Sequence, residues 1–134
     1  MTDIHEFAGR TLSSTNSVLG EGPTYDPDTN TIWWFNILGK ELHELNLSTE
    51  EKKVHTLPVM ASVLARIDAK RQLLATEQGL FVRDIESGGL TFYAALENDQ
   101  PENRSNDGRM HPSGSLWIST MSKRAETQAG AIYH

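Results

Sequence analysis

Thr31-Ile32-Trp33-Trp34-Phe35 is the stretch on which the fold turns. This short β-branched and aromatic run follows Asp26-Pro27-Asp28-Thr29-Asn30, and turn residues in front of such a run predict a strand behind a tight connection. The arrangement returns twice. Gln72-Leu73-Leu74-Ala75-Thr76 follows Asp68-Ala69-Lys70-Arg71, and Ser115-Leu116-Trp117-Ile118-Ser119 follows His111-Pro112-Ser113-Gly114. Ile32, Leu73 and Leu116 are 41 and 43 residues apart.

Working outward, each run leads into a second element. Glu41-Leu42-His43-Glu44-Leu45-Asn46-Leu47 alternates polar and apolar residues, and Leu80-Phe81-Val82-Arg83-Asp84-Ile85 does so less cleanly. Ala131-Ile132-Tyr133-His134 begins a third such strand. Two repeats add a further element, Lys53-Val54-His55-Thr56-Leu57 and Leu90-Thr91-Phe92-Tyr93-Ala94, behind turns at Ser48-Thr49-Glu50-Glu51 and Glu86-Ser87-Gly88-Gly89. No long segment carries the 3.6-residue period of an amphipathic helix.

An all-β chain with a period near 40–45 residues and about four short antiparallel strands per repeat has the signature of a β-propeller blade. A sandwich or barrel with roughly regular strand spacing is the alternative. The expected organisation is a single partial propeller domain over residues 1–134. Repeat 1 occupies about 17–60, repeat 2 about 61–103, and an incomplete repeat 3 about 104–134. Known propellers close with roughly 4–8 blades. About three repeats therefore leave an apolar blade face and a sheet edge open. The expectation is a fragment, or a chain that self-associates through its open blade edges.

The bulk properties exclude several functions. The 134 residues carry a net charge of −6 and no run of basic residues, so neither nucleic acid nor an anionic membrane is expected as a partner. There is no cysteine, which removes disulfides, thiolate zinc sites and cysteine nucleophiles. No stretch approaches 18 apolar residues and the N-terminal six are mostly polar with no apolar run behind them, so a cytoplasmic protein is the default expectation. No Gly-x-Ser-x-Gly elbow, phosphate loop or dinucleotide fingerprint occurs.

Two polar stretches remain. In Leu19-Gly20-Glu21-Gly22-Pro23 a carboxylate sits between two glycines. The glycines allow close approach to a ligand, and the carboxylate is a hard-oxygen donor suited to calcium, magnesium or manganese and acceptable to zinc. A solvated turn glutamate is the bland alternative. Asn103-Arg104-Ser105-Asn106-Asp107-Gly108 reads as a turn, with a guanidinium, two amides and a carboxylate in six residues. Arg104 offers a planar fork of donors, Asn106 an amide, and Asp107 an acceptor for sugar hydroxyls or a metal-bound water. A plain Asp-Gly hairpin is the alternative there. His111 reads as a surface turn residue, and Trp33, Trp34 and Trp117 read as core.

Taken in order, Gly20-Glu21-Gly22-Pro23, Trp34-Phe35-Asn36-Ile37, Arg104-Ser105-Asn106-Asp107-Gly108 and Pro112-Ser113-Gly114-Ser115-Leu116-Trp117-Ile118-Ser119-Thr120-Met121 resemble the SMP-30/gluconolactonase/luciferin-regenerating family. The resemblance implies a six-bladed β-propeller, of which this chain covers about the first three blades. It implies a lactonase-type hydrolase acting on sugar lactones, with one divalent cation in the central channel, calcium first, then zinc, magnesium or manganese. On that resemblance Glu21 matches the first metal ligand, and Arg104, Asn106 and Asp107 match the substrate-contacting region. The remaining ligands, an asparagine and an aspartate that is also the proposed base, belong to later blades. No catalytic residue is therefore expected within this chain, and the Asp base is expected beyond His134. The expected small-molecule partner is a lactone or sugar acid. Asn36, His111 and Ser119 depart from the family pattern, where aspartate, aspartate and glycine are usual. Those departures keep open a non-catalytic cation- or sugar-binding propeller.

Overall fold

The structure, a computed structural model, describes residues 8–126 and 128–134, so the mostly polar N-terminal six lie outside the described residues. Eleven strands and no helix are present among the described residues. The first sheet is a meander of β1 (Gly20–Asp26), β2 (Thr31–Asn36), β3 (Glu41–Asn46) and β4 (Lys52–Thr56). The second is a meander of β5 (Ala61–Arg66), β6 (Arg71–Thr76), β7 (Gly79–Asp84) and β8 (Leu90–Ala94). The third comprises β9 (Asn103–Met110), β10 (Leu116–Ser122) and β11 (Ile132–Tyr133), with β10 central. All neighbouring strands pair antiparallel.

The sheets stack as successive blades. β5 packs against β1 on one side and β9 on the other, so the first strand of each sheet lies innermost. Burial follows from that position. Ala61 through Ala65 are all buried, and a strand covered on both faces has no reason to alternate. One core fills the space between the first and second sheets, around Trp33, Phe35, Leu42, Leu64 and Leu74. A smaller one, of Val63, Ala75, Leu96 and Ile118, joins the second sheet to the third. Each large side chain sealed this way contributes about 1.5–3 kcal/mol relative to exposure.

Each innermost strand also carries a β-bulge. In β1 the pairs Glu21↔Phe35 and Thr24↔Trp33 leave Gly22 and Pro23 opposite Trp34 alone. In β5 the pairs Ala61↔Thr76 and Val63↔Ala75 leave Ser62 without an opposite residue. In β9 the pairs Ser105↔Thr120 and Gly108↔Ile118 leave Asn106 and Asp107 opposite Ser119. The turn predicted at Asn103–Gly108 is therefore corrected to a strand. Its turn-forming residues are absorbed by the bulge, which is where a strand tolerates them.

Trp33 is buried and Trp34 half-buried, but Trp117 is 45% exposed and stacks on His134 with ring centroids 4.8 Å apart. The expectation of a core role fails for Trp117, because β10 turns it to the face of the third sheet opposite the buried Ile118 and Thr120. His111 sits in the turn expected of it, where its carbonyl accepts the Gly114 N–H.

Candidate functional site

The three bulges shape a groove of about 530 Å³ between β1, β5 and β9. Glu21, Gly22, Ser62, Arg66, Asp107 and Gly108 are among its lining residues. The packing at the bulges is close. Gly22 adopts φ +61°, and a Cβ there would stand 2.4 Å from the Ser62 carbonyl oxygen. A Cβ on Gly108 would stand 2.6 Å from the Trp117 carbonyl oxygen and 3.0 Å from the Val63 methyls. Both glycines are needed for approach as much as for conformation.

Glu21 is held by what precedes it. The Asn36 side-chain oxygen accepts the backbone N–H groups of Val18 (3.0 Å) and Leu19 (3.3 Å). The Asn36 amide nitrogen donates to Glu41 at 2.8 Å, and His43 bonds the same Glu41 oxygen at 3.1 Å. The Asn36 and His43 bonds hold the Glu41 carboxyl below the usual carboxylate range. Asn36 thus fixes the chain just ahead of β1 and delivers Glu21 to the groove with its carboxylate exposed.

Arg104 is buried at 8% exposure, and its Nη1 donates to the Ser105 carbonyl at 2.8 Å. Burial pushes its guanidinium down from the ordinary value, while the nearby Glu21 carboxylate favours its charged form. Asn106 and Asp107, in the β9 bulge, are exposed. The Asp107 carboxylate accepts the Gly108 N–H at 2.7 Å, and the Asp107 backbone is gripped by Ser119.

The structure thus brings Glu21 and Asp107 to one groove and sets Arg104 within electrostatic reach of Glu21. The bulge breaks the side-chain alternation that would otherwise put Arg104 and Asn106 on one face. Sequence reasoning missed Ser62, which lies in a run of buried small and apolar residues with no polar neighbour to mark it. It also missed Arg66, tied to Asp26 and Asp28 at the far end of the groove.

As a cation site the donor set is incomplete. Glu21 is a suitable hard-oxygen ligand, but no group of three or more His, Cys, Asp or Glu that could hold a metal occurs among the described residues. Calcium takes roughly 6–8 oxygens, so this chain's residues do not by themselves fit a resident divalent ion. No helix among the described residues is long and apolar enough to cross a membrane.

Residues 19–134 match the family described as SMP-30/Gluconolactonase/LRE-like region. A Rhizobium meliloti (strain 1021) protein named "Putative sugar lactone lactonase" is 62% identical over 134 residues, covering 100% of this chain and 45% of the relative. An L-arabinolactonase from Azospirillum brasilense is 30% identical over 130 residues, covering 94% of this chain and 42% of the relative. The crystal structure of a calcium-binding protein, regucalcin, from Agrobacterium tumefaciens str. C58 superposes with a TM-score of 0.93 at 61% identity, over 96% of this chain and 43% of that one. The chain spans less than half the length of each of these relatives.

Proposed function

This chain belongs to the SMP-30/gluconolactonase/LRE-like family, and we propose that it forms the substrate-holding part of a sugar-lactone hydrolase. The observation that carries the reading is that Glu21 and Asp107 line one groove between the innermost strands, with the buried Arg104 near enough to Glu21 to feel its charge. Lactonases among the relatives support lactone chemistry at the level of the family.

Lactone hydrolysis needs a ring held still and a carbonyl presented in fixed orientation. The exposed Asn106 supplies a donor for ring hydroxyls and Asp107 supplies an acceptor, while the buried Arg104 adds positive charge near Glu21. Glu21 is this chain's ligand toward a divalent cation, calcium first, whose other ligands and whose Asp base lie outside residues 1–134. Likeness to a calcium-binding regucalcin supports the cation. No proton transfer is assigned to a residue of this chain.

The test is hydrolysis of a panel of sugar lactones by the complete protein, with and without chelator. Hydrolysis lost in Glu21→Ala and Asn106→Ala supports the reading; no turnover of any lactone defeats it. That last result would favour a non-catalytic cation- or sugar-binding propeller, the alternative to which the same calcium-binding likeness points.

A further inference from the structure

A two-residue bulge leaves a problem of hydrogen bonding on β9. Between Ser105↔Thr120 and Gly108↔Ile118, the ladder gives Asn106 and Asp107 only Ser119 to face. Backbone groups in such an insert lose their regular cross-strand partners, and a loosely held bulge wanders. Here the vacancy is filled by a side chain. The Asp107 N–H donates to Ser119 Oγ at 3.1 Å, and the Ser119 hydroxyl donates to the Asp107 carbonyl at 3.0 Å. One hydroxyl therefore serves as acceptor and donor to the same residue and stands in for the backbone that β10 lacks at that point.

We infer that Ser119 is a positioning residue for the substrate-holding bulge. It does not reach the ligand itself; it fixes the peptide that carries Asn106 and Asp107. The inference rests on the proposed lactone-binding role of those two residues. Neither a glycine nor an alanine at 119 could make the clasp, since both bonds use Oγ. Threonine could. Because Asn106 and Asp107 would hold the sugar ring in the ground state and the transition state alike, loosening them raises KM and leaves kcat nearly unchanged.

The experiment compares the wild-type complete protein with Ser119→Ala, Ser119→Gly and Ser119→Thr. Amide hydrogen exchange at Asp107 reads the clasp directly, whatever the activity. We expect Asp107 to exchange about tenfold faster in Ser119→Ala and Ser119→Gly and to regain protection in Ser119→Thr. The second readout is hydrolysis of D-glucono-1,5-lactone. Here KM should rise about 3- to 10-fold in the alanine and glycine variants, kcat should stay within about twofold, and threonine should restore KM. Unchanged Asp107 exchange overturns the inference, as does an unchanged KM or a fall confined to kcat. A wild-type protein that turns over no lactone defeats the proposed function, while the exchange result still decides whether Ser119 holds the bulge.

Discussion

The Ser62 hydroxyl donates to the Ser105 hydroxyl at 2.7 Å, joining the second sheet to the third inside the protein. Ser105 in turn donates to the Ala75 carbonyl at 3.0 Å. Both serines are at most 2% exposed. The chain has a direction, and its loss is asymmetric. Ser105→Ala strands the buried Ser62 hydroxyl without an acceptor and should cost about 1–3 kcal/mol, read by urea unfolding. Ser62→Ala leaves Ser105 its carbonyl and should cost less. The double variant should cost less than the two single costs combined, as expected of groups in one network.

Gly22 tests the close approach of the first two blades. Its φ of +61° disfavours any side chain, and a Cβ would lie 2.4 Å from the Ser62 carbonyl oxygen, which is backbone and cannot swing aside. Gly22→Ala should destabilise by more than about 2 kcal/mol. A melting temperature within 2–3 °C of wild type, roughly the shift that half to one kcal/mol would give, would refute this packing.

Acid stability should depend on Glu97. Burial pushes this carboxyl up, but bonds donated by Asn103 (2.8 Å), Tyr133 (2.7 Å) and Thr120 (2.8 Å) outweigh it and hold Glu97 below its ordinary 4.5. A carboxylate depressed on folding contributes stability that is fully present above its unfolded value and is lost as pH falls through the folded one. Unfolding free energy should therefore decline below about pH 4.5, and the decline should be shallower in Glu97→Gln. Equal slopes would remove Glu97 from the account.

Residues 1–134 alone should hold calcium poorly. Glu21 is a single carboxylate, and no metal-holding group of three is present among the described residues. Titration calorimetry of this chain should find no saturable calcium binding tighter than about millimolar. A tight one-to-one complex would show that the donor set is larger than Glu21.

What could be read in advance follows from where each strand lies. Leu90–Ala94 was legible to the residue, because this outer strand carries its own β-branched and aromatic residues, with little burial to override them, and is bounded by Gly88-Gly89. The middle strands were legible through their apolar runs, and the four ordered motifs gave the family. The innermost strands were not. β5 is buried on both faces and shows no alternation, while β1 and β9 are rich in Gly, Pro, Asn and Asp, residues that local propensity assigns to turns. Tertiary position overrode that propensity, and the override coincides with the candidate site. Glu21, Arg104, Asn106 and Asp107 could be picked out by residue type. Their supports, Ser62 and the Ser119 clasp, depend on contacts between blades or across a bulge, which no short motif encodes.

The bulges also bear on how such a chain can change through descent. In a strand, whether a residue is an odd or even number of steps from a fixed point decides which way it faces. Three steps along β1 from Glu21 to Thr24 answer two steps along β2 from Phe35 to Trp33, so the count on the inner strand is already off by one. Removing a single residue there would restore even counting and turn Glu21 to the opposite side without altering any residue of the core. Substitutions at the exposed positions Glu21, Asn106 and Asp107 can thus vary the chemistry of the groove, whereas insertions and deletions move every side chain beyond them. The lineage can respell the exposed letters of these segments but not change their length.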